Sequence, residues 1–385
     1  MDPSTKKRWR DVVVIFLTTR LGLCLVALLA SYLLPSGTAL QPGNLQYAQE
    51  APSALSVWAQ WDANWYLLIA DHGYGALQEN PDLAPGNQRD DTSGFFPLYP
   101  GMVHLVSYLT QPLGGSLTAA LLVSNLALLG FLFLLASWAE EHHGAEAARG
   151  ACAVVCLFPT SLFLSAPYSE SLFLLLALAT LRASSRNRPL LAFTLAAAAS
   201  LTRPVGILLA LPLAWSAFDR RLPGRVRMLK GVSALGAPVG LLSFAGFCHL
   251  QFGNASAFLE RQERWRGVMG PPWTFLTEYF QEPRAHGGSG STVDLVLALL
   301  ALAVLPAVFR RLGVGLGLYS TAAVLIPLSS GLFSFSRLTL AAFPLFLVAG
   351  FWWAEKPALR LAYPAVGLPL AGLFMALYAT GWWVG

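Results

Sequence analysis

Apolar residues in this chain come in long uninterrupted runs, without the alternation of half-buried strands or the one-sided stripe of a water-facing helix. The runs 12–34, 116–138 and 361–384 each approach or exceed the roughly 18–20 residues that carry a helix across a bilayer. In hydrocarbon a backbone must satisfy its own hydrogen bonds, so these runs predict helices and the chain an all-α polytopic membrane protein. Short basic clusters separate the runs and, placed on the cytoplasmic side, set their orientation. The clusters lie at 6–10, around Arg149, and at 182–188, 220–230, 310–311 and 356–360. About eleven spans then alternate with no helix left over: 12–34, 116–138, 151–167, 169–182, 190–202, 205–218, 231–251, 293–309, 312–328, 338–354 and 361–384. Outer turns fall at 166–170, 202–204 and 329–337. Residues 35–115 and 252–292 remain as large external segments of a single domain covering 1–385.

Composition agrees with this threading. Of 385 residues, 55% are hydrophobic and 12% charged, about half the charge of a soluble domain. The run 12–34 follows Lys6, Lys7, Arg8 and Arg10 as a signal peptide would, but it is too long for one and lacks a small-residue cleavage site. It is expected to be an uncleaved span. The net charge of +5 sits between spans, so nucleic acid is excluded as a partner. Cys24, Cys152, Cys156 and Cys248 lie within apolar stretches and are expected to be packing residues. The inner loops are brief and carry no nucleotide-binding fingerprint, so chemistry is expected outside.

The first external segment is the most unusual part of the chain. From Ala54 to Ala70 it predicts a helix on which Trp58, Trp61, Trp65 and Leu68 make one bulky face, suited to lying along the headgroup zone. Asp62 falls at the edge of that face, where a carboxylate could serve as a base toward a lipid-linked substrate; a solvated side chain on an interfacial helix fits the same spacing. Phe95-Phe96-Pro97-Leu98-Tyr99-Pro100-Gly101 opens a second interfacial helix reaching Leu113 and carrying His104, a candidate site group or a structural histidine.

Trp61-Asp62-Ala63-Asn64-Trp65-Tyr66, followed by Ile69-Ala70-Asp71-His72-Gly73-Tyr74, resembles the signature of the PIG-V-like mannosyltransferases, which add the second mannose to GPI anchors and have bacterial relatives. Residues 95–100 resemble that family's Phe-Phe-Pro segment. Residues 158–173 are similar to its Pro-x-Ser and Tyr-Ser-Glu-Ser-Leu-Phe segment, 200–206 to its Thr-Arg-x-x-Gly, and 336–344 to its late arginine segment. The matches keep family order over nearly the whole chain. The resemblance implies the GT-C fold, with re-entrant interfacial helices in the first external loop. It also implies inverting transfer of mannose from a polyprenyl- or dolichyl-phosphate donor, with the acidic residue of that loop, here Asp62, as base. Where many eukaryotic members have a histidine this chain has Trp65, so no role is carried over from that histidine.

The leaving lipid phosphate calls for guanidinium partners, and Arg203 and Arg337, both at outer helix ends, are the candidates; each could equally be an arginine snorkelling to solvent. Glu170 is expected to orient the acceptor, pair with an arginine, or simply cap its helix. Trp61, Tyr66, His72 and His104 complete the substrate-orienting candidates. No cofactor or metal is expected; Asp90-Asp91 could form a divalent pair but reads more simply as a solvated turn. Expected partners are membrane lipid, the lipid-linked sugar donor, and a glycolipid, glycan or protein acceptor. Short loops and an Ala/Leu/Arg-rich composition point to a bacterial plasma membrane rather than the endoplasmic reticulum. Two rival readings are a transporter or flippase of lipid-linked sugars, and a non-catalytic scaffold subunit.

Overall fold

The computed structural model describes residues 3–35, 53–80, 92–281 and 291–385. Their helices, in chain order, are α1 (Pro3–Leu33), α2 (Asp62–His72), α3 (Ala76–Glu79), α4 (Leu98–Thr110), α5 (Gly115–Cys156), α6 (Glu170–Ser185), α7 (Pro189–Thr202), α8 (Ala210–Ala217), α9 (Gly224–Ala234), α10 (Gly236–Phe252), α11 (Ala257–Arg266), α12 (Thr274–Gln281), α13 (Ser291–Leu312), α14 (Val314–Leu328), α15 (Phe335–Leu338), α16 (Pro344–Glu355) and α17 (Pro357–Ala379). No strand occurs among the described residues, and the all-helical expectation holds. The chain forms two compact units, Met1–Ser171 with Ala349–Val384, and Leu172–Val348.

Among the described residues five helical stretches, α9 and α10 counting as one, have the length and apolarity of a bilayer crossing, and the bent pair Phe335–Ala341 and Pro344–Glu355 would make a sixth. Most of the other expected spans are helical but shorter, including Pro189–Thr202, Pro204–Ala217 and Val314–Leu328. Along α1, Leu17, Leu21, Leu25 and Leu29 recur every fourth residue and are all exposed, while Leu23, Ala27 and Ala30 are buried. That is one lipid-facing stripe and one packing face, the latter meeting α5 and α17.

Two expected features of the first unit differ. The second and third spans are joined in α5, where His143 and Gly144 leave helical geometry and Arg149 stands on helix, not on a loop. The His143 ring stacks on Phe351 at this break, with centroids 3.8 Å apart. Helix also stops at Cys156, well short of 167. From 157 to 169 the chain is irregular apart from one 3-10 turn, Ser161–Leu164, and every residue is buried. The expected outer tip at 166–170 is thus inside the first unit, not at its surface.

Irregular backbone survives in such surroundings only if its polar groups find partners. Arg20, itself buried, supplies two of them: Nη2 donates to the Cys156 carbonyl and Nη1 to that of Ser161, each at 2.8 Å. Asn125 Nδ2 donates to the Ser165 carbonyl at 3.3 Å, and Ser124 Oγ to that of Ala166 at 2.8 Å. Arg20, a charge within the apolar run 12–34, therefore braces a loop.

In the second unit, α7 and α10 touch through backbone. A Cβ on Gly236 or Gly240 would run into the carbonyl oxygens of Phe193 and Ala197 respectively, the small-xxx-small contact of membrane helices. Gly240→Leu is expected to force these helices apart and lower the thermal unfolding temperature of the solubilised protein by several degrees; unchanged unfolding would show that the contact is dispensable.

Candidate active site

The predicted helix from 54 to 70 begins at Asp62 instead. Ser56–Trp58 forms a single 3-10 turn. The carbonyls a continuous helix would use internally are taken by phenols: Tyr378 donates to Trp58 O at 2.9 Å and to Gln60 O at 3.1 Å, and Tyr168 donates to Gln60 O at 3.1 Å. Trp61 then reverses the chain with φ 57° and ψ −126°, a conformation costing a bulky residue about 1–3 kcal/mol. Asp62 follows as the first residue of α2, half-buried, where the helix dipole favours an acid. Trp58, Trp65 and Leu68 are buried, so the bulky face is turned into the protein and not laid on the membrane surface. Pairing satisfied carbonyls with a strained residue in front of the candidate base gives the acid a fixed position.

The sequence motifs meet around this turn. Tyr66 is buried, its ring edge-on to Phe95 and Tyr99, both at 5.0 Å, and its hydroxyl is 2.9 Å from Ser169 Oγ. Trp65 stacks on Phe95 at 5.7 Å, and Trp61 meets Trp383 edge-on at 5.6 Å. Gly73, at φ 76° and ψ −176°, takes a conformation essentially reserved for glycine, and Tyr74 beyond it donates to the Phe95 carbonyl at 2.6 Å. The Gly-Tyr pair of the motif therefore ties α2 to the Phe-Phe-Pro segment. Glu170, buried at the start of α6, is near enough to Tyr99 to act on it. Burial pushes the Tyr99 phenol well above its usual value, and Tyr66, Glu170 and Tyr378 push it further, against a lowering hydrogen bond from Ser124.

Other candidates stand apart from this cluster. His104 places Nδ1 2.7 Å from the Ala70 carbonyl, which docks α4 on α2, and Nε2 3.0 Å from Tyr108 Oη one turn along α4 itself, so both ring nitrogens are engaged structurally. His72 is exposed in the last turn of α2. Asp90-Asp91 lies outside the described residues, among which no cluster of metal-ligating side chains occurs. Asn64 was not singled out from sequence, yet it is wholly buried: Nδ2 donates to the Trp61 carbonyl at 3.2 Å and Oδ1 has no partner among the described residues. Only its place within the motif could have flagged it.

The second unit holds both candidate arginines. Arg203 is extended (φ −155°, ψ 146°) between α7 and the 3-10 turn Pro204–Leu209, as the residue before a proline must be. A Cβ on Gly206 would sit 2.6 Å from Ser200 Cα, which explains the glycine of the Thr-Arg-x-x-Gly segment as a close backbone approach. Arg337 is buried in α15, a helix of four residues. A second acid, Asp294 of α13, was missed by sequence reasoning. It is buried and its Oδ1 accepts the Ser336 backbone N–H at 2.7 Å, which fixes the short helix beneath Arg337. Asp294→Ala is expected to lower transfer about tenfold or more by loosening α15, with Asp294→Asn retaining more activity. Equal activity in all three proteins would remove that positioning role.

Arg203 and Arg337 also act on Arg266, at the end of α11. Burial first, then these two positive neighbours, push the Arg266 guanidinium down to about 10. Its Nη2 donates to the Pro327 carbonyl at 3.0 Å, while Nε is buried with no acceptor among the described residues. Three guanidinium groups thus share one region of the second unit.

Two solved structures of the Archaeoglobus fulgidus oligosaccharyltransferase resemble the chain. The complex with Zn and sulfate has a TM-score of 0.43 at 11% identity over 95% of this chain and 53% of that one. The apo form has a TM-score of 0.42 at 13% identity over 94% and 54%. Among curated proteins, GPI alpha-1,6-mannosyltransferase 2 of Homo sapiens is 34% identical over 139 residues, 34% of this chain and 25% of the relative. The Mus musculus protein is 33% identical over the same shares. The chain thus spans about a quarter of the length of the curated relatives it matches. The family profile described as Mannosyltransferase (PIG-V) matches residues 10–220, more than half of the chain, and the chain belongs to that family.

Proposed function

We propose that this chain is an inverting mannosyltransferase of the GT-C type, taking mannose from a polyprenyl- or dolichyl-phosphate donor to an acceptor hydroxyl on the extracytoplasmic face. The observation that carries the reading is the gathering of three separated family segments about the fixed turn before Asp62, within a chain that belongs to a mannosyltransferase family. Asp62 takes the proton of the acceptor hydroxyl as its oxygen bonds to the anomeric carbon. The bond from that carbon to the phosphate oxygen breaks, and its electron pair leaves with the lipid phosphate. Arg203 and Arg337 hold the charge that grows there. Glu170 and Trp61 orient the acceptor, and no metal is required. The acceptor is a glycolipid, glycan or protein of a bacterial plasma membrane.

Purified protein in nanodiscs, given polyprenyl-phosphate [14C]mannose and a panel of such acceptors, tests this. Radiolabel should move to an acceptor and release polyprenyl phosphate. Translocation of the intact donor across a sealed vesicle, with no new glycosidic bond, would replace the enzyme by a transporter.

A further inference from the structure

Arg266 has no part in the roles assigned above, although its surroundings are those of a ligand group. It ends α11, which is positioned at both ends. At the start, Asn254 Oδ1 accepts the Ser256 backbone N–H at 2.9 Å and its hydroxyl at 2.8 Å, and Asn254 Nδ2 donates to Glu260 at 2.7 Å. This Asn-Ala-Ser sequence therefore works as a turn that starts the helix. At the far end Arg266 Nη2 caps the last turn of α14 through the Pro327 carbonyl, and the Gly270 N–H donates to Ser329 O at 2.6 Å. A guanidinium has five donor hydrogens; here one nitrogen is engaged and the buried Nε is left without an acceptor. The charges acting on Arg266 among the described residues are the two positive ones of Arg203 and Arg337.

Burying a cation beside two like charges is unfavourable unless an anion is supplied. We propose that Arg266 is a third guanidinium of the donor-phosphate site, acting with Arg203 and Arg337 on the lipid phosphate, with its main effect on the leaving group. This rests on the donor-binding role given to those two arginines. The charge arithmetic favours the leaving group: the donor is a phosphodiester with one negative charge, whereas the released monoester carries close to two at neutral pH. A third cation therefore gains most as the glycosidic bond breaks, and such a contact raises turnover more than ground-state affinity.

The experiment uses the full chain in nanodiscs, with undecaprenyl phosphate as probe and undecaprenol as its neutral counterpart. Thermal stabilisation and competition against labelled undecaprenyl phosphate are read for wild type, Arg203→Ala, Arg337→Ala, Arg266→Ala, Arg266→Lys and Arg264→Ala, an exposed control on the same helix. Arg266→Ala is expected to weaken undecaprenyl phosphate by about 10- to 100-fold. Undecaprenol should be unaffected, Arg266→Lys should recover part of the loss, and Arg264→Ala should match wild type. In transfer assays kcat should fall more than KM rises. Should Arg266→Ala fail to fold, Arg266→Gln retains a donor for Pro327 and the phosphate-dependent shift is read on it. If Arg203→Ala and Arg337→Ala weaken the phosphate probe while the Arg266 variants lose only basal stability, Arg266 is a helix cap and the inference is wrong. If all three alanine variants bind the probe like wild type, the donor-site reading of Arg203 and Arg337 fails as well.

Discussion

Replacing Asp62 with Asn is expected to cut mannosyl transfer by about 10²- to 10⁴-fold, the usual contribution of a positioned base, while the protein folds and still binds undecaprenyl phosphate. The expectation follows from how the turn is built. Phenols from Tyr168 and Tyr378 hold the preceding carbonyls, and Trp61 carries the strain of the reversal. The backbone at position 62 is thus fixed by its neighbours, and the isosteric amide should sit where the acid does. Asp71, nine residues further on, makes the contrast: its Oδ2 accepts from Ser116 Oγ at 2.9 Å in a helix-to-helix contact, so Asp71→Asn should cost little transfer. Initial rates at saturating donor measure both. Full activity in Asp62→Asn would rule out Asp62 as the base.

Arg20→Ala is expected to be the most destabilising single change outside the site, by about 2–5 kcal/mol, because it removes two buried hydrogen bonds from a charged donor at once. The Ser161 carbonyl would lose its guanidinium donor and the Cys156 carbonyl would keep only the Ser161 hydroxyl, and the segment that follows runs on to Ser169 and Glu170. Arg20→Lys should recover only part, since an ammonium lacks the planar fork that reaches both oxygens. Thermal unfolding in detergent measures the loss, and an unfolding midpoint within a degree of wild type for Arg20→Ala would show that the loop is braced elsewhere. Activity should fall with stability, in step with loosening of the Ser169–Tyr66 contact.

Helices were legible where apolar length alone decides, as in α1, α13 and α17. Sequence periodicity misjudged the stretch from 54 to 61, because what ends the helical pattern there is a set of hydroxyls from Tyr168 and Tyr378, over a hundred and over three hundred residues away. The same holds for 157–169: an apolar run that suggests a span is irregular because Arg20, Ser124 and Asn125 satisfy its backbone. Asp62, Glu170, Arg203 and Arg337 stood out as charges next to family-like segments. Asn64, Arg266 and Asp294 did not, since an amide in an aromatic motif, one arginine among several in a polar segment, and an acid at a helix start carry no signal until the chain is folded.

The glycine contact between α7 and α10 has a mechanical consequence. One of these helices leads straight into Arg203, and the other runs through Gly253 into the helix that ends in Arg266. With main chains touching and no side chain between them as a cushion, the pair has little freedom to shear, so a displacement of one arginine carries the other with it. The spacing of the two arginine backbones is then a dimension of the scaffold, set by glycine rather than by side chains that could repack.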